Sequence, residues 1–322
     1  EDPAEAADLP RHVRRTELTV QFSVWANSAH PWTEVRDFAL FAEAEGWDGF
    51  WYADHYMPNS PDGEPLPGNF NECFSVLAGL AAVTSRMRLG SLVTPTTMNH
   101  PALIANRAAT IDNMSNGRFV IGMGAGWQVN EHNAFGIELF ENKPRVDRFA
   151  EAIEIVASML SQERTTFKGE HFTITNAPCE PKPVQKPLPI LVGTGGPRML
   201  RLTARFAQEW NTWGTPETTK PVMERLLAAC EKEGRDPKTV RKSVQALFFI
   251  APDAEAVEKI KKVAPADRAV VGTIEQLNEA VAEYAALGFD EICVPDFTLG
   301  GTPEARRQSY STFMSQVAGN FR

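Results

Sequence analysis

Cysteine is scarce, with four residues (Cys73, Cys179, Cys230 and Cys293) in 322. They lie far apart and form no CxxC pair, so neither a redox dithiol nor a thiolate zinc site has sequence support. The histidines form no short ligand pattern, and no metal is expected. Few, scattered cysteines suit a reducing cytosol, so a cytoplasmic location is expected. Long apolar runs are also missing. The longest, near Val76–Val83, is far below the roughly 20 residues that a membrane span needs. The first 18 residues have no apolar segment of the secretory kind. Basic excess is missing as well: 32 Lys and Arg stand against 41 Asp and Glu, a net charge of -9. That argues against a nucleic-acid partner and leaves room only for a local basic pocket. Disorder is excluded, because 43% of the residues are hydrophobic and 23% charged, enough apolar material for a large core.

What is present is an alternation of strand and helix. Residues 1–17 read as a polar arm, and 18–322 as one domain. Eight strand patterns are predicted, at 18–25, 49–53, 87–93, 118–124, 188–192, 209–212, 243–250 and 291–294. Amphipathic helices separate them. Over 33–45 the stripe Val35, Phe38, Ala39, Phe41 and Ala42 marks a helix, with Thr33 as its cap and Gly46 at its end. Eight strands alternating with helices favour an α/β fold closed as a (β/α)8 TIM barrel. An open doubly wound sheet is disfavoured, because Ala26–Asn27–Ser28 follows the first strand in place of a glycine-rich turn. Residues 164–189 form an insertion, whose TTFKGEHFTIT segment predicts a hairpin.

In a barrel the chemistry sits where strands end. The fifth strand ends in Gly193–Thr194–Gly195–Gly196–Pro197. Glycines before a helix opened by proline suit either a phosphate cradle or a tight turn. Gly122–Gly126 has GxGxG spacing but lacks the dinucleotide fingerprint. It serves close approach either to a flat ligand or to neighbouring backbone. His55, beside Asp54 at the end of the second strand, is the acid/base candidate, or else an ordinary loop histidine. Trp25, Trp127 and Trp213 recur at strand ends. They wall an apolar substrate pocket or simply pack.

Four ordered segments carry a resemblance: EGWDGFWYADH (45–55), the block from Arg86 to Gly136 that includes GMGAGWQVNEHNAFG, PILVGTGGPRMLRLTARFAQEWNTW (189–213) and VVGTIEQLNEAVAEYAALGFDEI (270–292). The chain resembles the luciferase-like monooxygenases, and among them the branch that depends on coenzyme F420. The resemblance implies a TIM barrel with a deazaflavin ring at the strand ends, FMN being the alternative cofactor. It implies a non-proline cis peptide within Ser91–Leu92–Val93–Thr94 that supports the ring. It implies a phosphate loop at Gly193, Thr194, Gly195 and Gly196. Asp54, Thr94, Ala125, Gly126 and Asn130 match positions near the ring or its polyol chain, and His55 matches a histidine at the reacting face. One departure stands out. Sugar-phosphate dehydrogenases of this branch carry a catalytic glutamate where this sequence has Trp127, which points to a larger, more apolar substrate. The resemblance also implies a homodimer, a small-molecule substrate and a reductase that supplies reduced cofactor. An FMN-dependent monooxygenase and a non-catalytic flavin-binding barrel are the competing functions.

Overall fold

The computed structural model describes residues 19–322; the expected polar arm at 1–17 and the start of the first predicted strand lie outside the described residues. The eight barrel strands are β1 (Gln21–Ala26), β2 (Gly49–Tyr52), β3 (Arg88–Ser91), β4 (Phe119–Gly124), β5 (Ile190–Gly193), β6 (Glu209–Trp213), β7 (Arg241–Gln245) and β8 (Glu291–Pro295). Each pairs in parallel with the next. β8 then pairs with β1, Gln21 opposite Glu291 through Trp25 opposite Pro295, so the sheet closes. The fold is a (β/α)8 TIM barrel. Every predicted strand overlaps one of the eight.

A helix follows each strand. Proline occupies the first turn of Pro101–Met114, Pro197–Phe206, Pro216–Lys232 and Pro303–Gln316. There its missing N–H costs nothing and its fixed φ suits the helix. The insertion contains the predicted hairpin, Thr165–Lys168 against Thr173–Ala177. The carboxylate of Glu151 holds its turn by accepting the backbone N–H groups of Glu170, His171 and Phe172.

Two expectations need correction, and one element was not foreseen. Thr33 does not cap the first helix, which runs Trp32–Ala44 with Pro31 at the cap position. The pattern at 243–250 is not one strand. It leaves the barrel after Gln245, and Leu247–Ile250 pairs with Ala269–Gly272 in a separate small sheet. Alternating apolar residues persist across the break, so periodicity alone does not reveal it. Finally, the loop after β4 contains a short helix, Val129–Phe135, whose polar sequence has no apolar stripe to announce it.

Two apolar cores result. The larger fills the space between barrel and helices. The smaller lies inside the barrel, with Trp51, Val120, Leu191 and Cys293 among its members. The lower mouth, at the strand N-termini, is closed by charge. Buried Glu291 accepts hydrogen bonds from Ser23 Oγ, Trp51 Nε1 (2.7 Å), Arg88 Nη1 (3.1 Å) and Arg241 Nη2 (3.0 Å). Arg88 also pairs with Glu209. Burial alone would raise the carboxyl pKa of Glu291, but Arg88 and Arg241, helped by Ser23 and Trp51, hold it below the usual range.

A carboxyl whose pKa is depressed on folding stabilises the fold above its unfolded pKa, and that contribution is lost as pH falls through the folded value. Glu291→Gln leaves the half-buried Arg88 and Arg241 guanidinium groups poorly compensated. It should cost about 3–5 kcal/mol in denaturant unfolding at pH 7, with a smaller difference from the wild type at pH 3.

Candidate active site

The upper end of the barrel opens into a cavity of about 810 Å³. Its wall on the β3 side is a bulge after the strand. The Leu92–Val93 peptide is cis, within the window expected for it. Val93 occupies space that three glycines leave free. A Cβ on Gly122 would lie 1.9 Å from the Ser91 carbonyl oxygen, one on Gly124 2.7 Å from Val93, and one on Gly193 3.0 Å from Val93. The glycines at 122 and 124 therefore admit neighbouring backbone and side chain, which settles one of the two roles open for them. Gly193 does likewise, so the first glycine of the 193–196 loop is a packing glycine. Ser91 lies under the bulge and not on the cavity wall: its Oγ donates to the Gly122 carbonyl (3.0 Å) and accepts from the Gly122 N–H (3.1 Å).

The rest of that loop is more open. Thr194 N–H donates to the Asn211 carbonyl, and Gly196 N–H donates to Thr194 Oγ1 (3.2 Å). Past them the helix Pro197–Phe206 starts at the barrel top, and the N–H groups of its first turn have no partner within the helix. A Cβ on Gly196 would meet nothing within 4 Å. Exposed N–H groups and the positive end of a helix dipole suit an anion.

His55 lines the cavity after β2. Its Nδ1 bonds to Glu131 Oε1 at 2.9 Å. Glu131 is 1% exposed, and its Oε2 accepts the Tyr56 N–H at 3.0 Å. A buried carboxylate thus fixes the imidazole and leaves Nε2 as its free nitrogen. Sequence reasoning gave Glu131 no role. Its signal is faint, since it lies 76 residues from His55 on the short helix that periodicity missed. Trp127 meets the His55 ring edge-on, with centroids 5.4 Å apart, and is 57% exposed.

Trp25 and Trp213 also line the cavity. They pack on each other at 5.3 Å, and Phe297, which was not predicted, adds to Trp25 at 5.1 Å. Of the expected cofactor residues, Leu92, Gly126, Gly193, Thr194 and Gly195 reach the wall. Asp54, Thr94, Ala125, Asn130 and Gly196 are not part of it. Asn130 braces a loop, donating to the Pro58 carbonyl (2.9 Å). Asp54, Thr94 and Asn130 are fully buried and each keeps one oxygen without a partner. Burial, with Glu72 nearby, pushes the Asp54 carboxyl up to about 7. Among the described residues no group of His, Cys, Asp and Glu could hold a metal ion, and no helix is long and apolar enough to cross a membrane.

Comparison with known proteins bears on the family and the fold. A family model described as luciferase-like monooxygenase matches residues 17–266. The F420-dependent glucose-6-phosphate dehydrogenase of Kineococcus radiotolerans is 31% identical over 237 residues, covering 72% of this chain and 68% of the relative. The pyrimidine monooxygenase of Stutzerimonas stutzeri is 34% identical over 172 residues, covering 51% and 47%. The structure of an F420-dependent secondary alcohol dehydrogenase in complex with an F420–acetone adduct covers 94% of this chain and 99% of its own, with a TM-score of 0.81 and 18% identity. At that identity the likeness shows the shared fold.

The raised Asp54 carboxyl has a checkable sign. An acid whose pKa rises on folding loses stability for the fold as pH climbs from the unfolded value, near 4, through about 7. Asp54→Asn should therefore gain in melting temperature, relative to the wild type, between pH 5 and pH 8.

Proposed function

The chain belongs to the luciferase-like monooxygenase family, and from that premise we propose that it is an oxidoreductase that uses coenzyme F420 to transfer hydride to or from a small, largely apolar organic substrate. The observation that carries this is the His55–Glu131 pair, facing a cavity bounded by the Leu92–Val93 bulge and the glycine loop. The F420-dependent relative supports the choice of cofactor.

The residues fit the cofactor. Leu92, Val93 and Pro95 present an apolar surface suited to a flat ring. Gly195, Gly196 and the first turn of Pro197–Phe206 would take its phosphate. The family likeness assigns Asp54, Thr94, Ala125, Gly126 and Asn130 to its polar edge and chain; of these Gly126 lines the cavity, and the others lie behind its wall. When bound, the deazaflavin exchanges a hydride at its ring's central carbon.

The chain's own part is orientation and proton handling. In the oxidative direction, a substrate carbon that gives up hydride leaves its hydroxyl proton to be removed. His55 Nε2 takes that proton, and in the reductive direction returns it. Glu131 holds the ring for this and compensates the imidazolium. Trp25, Trp213 and Phe297 line the opposite wall and keep it apolar. The ionisable side chains lining the cavity are His55, Glu131 and Arg268. Trp127 beside His55, with Trp25, Trp213 and Phe297 across the cavity, favours an apolar substrate over a sugar phosphate. We also take the protein to be cytoplasmic, given its four unpaired, buried cysteines, and, from its likeness to the family, a homodimer served by a reductase that supplies reduced cofactor.

Fluorescence titration of the purified protein should show micromolar or tighter binding of oxidised F420 and weak binding of FMN. The reverse preference, with oxygen consumption, would make it an FMN-dependent monooxygenase. His55→Ala should keep F420 affinity and lower kcat about 10²–10⁴-fold in an F420-linked substrate screen. A carrier barrel would have no turnover to lose.

A further inference from the structure

The wall across from the bulge holds a polar group that the hydride chemistry leaves unused. Gln245 ends β7, four strands around the barrel from β3. It lines the cavity, is 3% exposed, and its Oε1 has no hydrogen-bond partner.

The orientation of that amide is dictated by a relay. The backbone carbonyl of Trp210 can only accept, so the Ser243 hydroxyl donates to it (3.3 Å). Ser243 Oγ then accepts from Asn211 Nδ2 (2.8 Å). That turns Asn211 Oδ1 toward Gln245, where it accepts from Nε2 (2.7 Å). Gln245 is left with its oxygen free. With Asn211 so placed, a flip of the Gln245 amide alone would set two oxygens against each other. Ser243 and Asn211 are both buried. A buried acceptor without a donor is unfavourable, and a ligand donor relieves it.

The surroundings narrow the ligand. Gln245 lies beside Trp213 on β6 in the strand register. Trp213 packs on Trp25, and the indole Nε1 of Trp25 is a buried donor that also lacks a partner. The wall is therefore aromatic, with one free acceptor and one free donor. His55 follows β2, which is separated from β7 by β1 and β8, so Gln245 and His55 address different parts of a ligand.

The geometry points to Gln245 as a specificity residue that accepts a hydrogen bond from an O–H or N–H on a flat, apolar substrate, a group distinct from the oxygen handled by His55. This rests on the oxidoreductase reading of the same cavity. It commits the acceptor to substrate and not to cofactor, because β7 lies opposite the proposed ring wall.

Phenol and anisole make a matched probe pair, flat and apolar, with and without the O–H. Calorimetric titration of the wild type, with F420 present and without it, should give phenol an affinity about tenfold above anisole, or ~1.4 kcal/mol. Gln245→Met keeps the shape and removes the acceptor; it should bring the ratio to about one while F420 affinity holds. Ser243→Ala frees the Asn211 and Gln245 amides to turn and should narrow the ratio. Should the methionine variant not fold, the wild-type ratio and Ser243→Ala decide. Equal affinities in the wild type, or binding of neither probe, would overturn the assignment. So would a preference that survives Gln245→Met, or an F420 affinity that falls with it, since the acceptor would then serve the cofactor. Discrimination that persists in a protein that does not bind F420 would uphold the acceptor and sink the F420 reading alone.

Discussion

A single buried carboxylate, Glu291, ties the lower half of this barrel together. It reaches Ser23 on β1, Trp51 on β2, Arg88 on β3 and Arg241 on β7, and it sits on β8 itself. Five of the eight strands thus meet at one charge. Removing any cation would leave that charge buried and short of partners, which is far more costly than an exposed ion pair is worth. The seam between β8 and β1, where the sheet closes on itself, lies within this cluster. With the lower mouth sealed by charge and the middle filled by Trp51, Val120 and Leu191, the upper end alone is left open for a ligand.

The upper end is shaped by missing side chains. Gly122, Gly124 and Gly193 belong to two neighbouring strands, yet all three make room for the same bulge. Val93 stands in the space that they leave, and the bulge forms one wall of the cavity. Across the barrel the aromatic group of Trp25, Trp213 and Phe297 supplies the facing wall. Between the two, Glu131 orients His55 from a buried position. The proposed chemistry depends on this division: rigid apolar walls, a held imidazole, and an open loop with a helix N-terminus suited to an anion.

Much of this was legible in the residue order. Eight short apolar runs, each followed by a helical stripe, announce a barrel, because strand and helix periods differ and the alternation repeats along the chain. Prolines after strands mark where helices begin. The Gly193–Pro197 run and the window for the bulge could be placed by motif. Less legible were polar contacts between distant segments. Glu131 is no more conspicuous than any other glutamate until a short helix brings it to His55. Gln245 looks like the middle of a strand, although it is where the chain leaves the barrel.

The sequence by itself determined the class of fold, the order of its elements and the strand ends that carry the site, because those follow from periodicity and from local backbone limits on glycine and proline. Only the tertiary structure decided which glycine makes room for which neighbour, which carboxylate holds His55, and which way the Gln245 amide faces. Those depend on hydrogen bonds and close contacts between strands far apart in the chain, where residue type is visible but partnership is not.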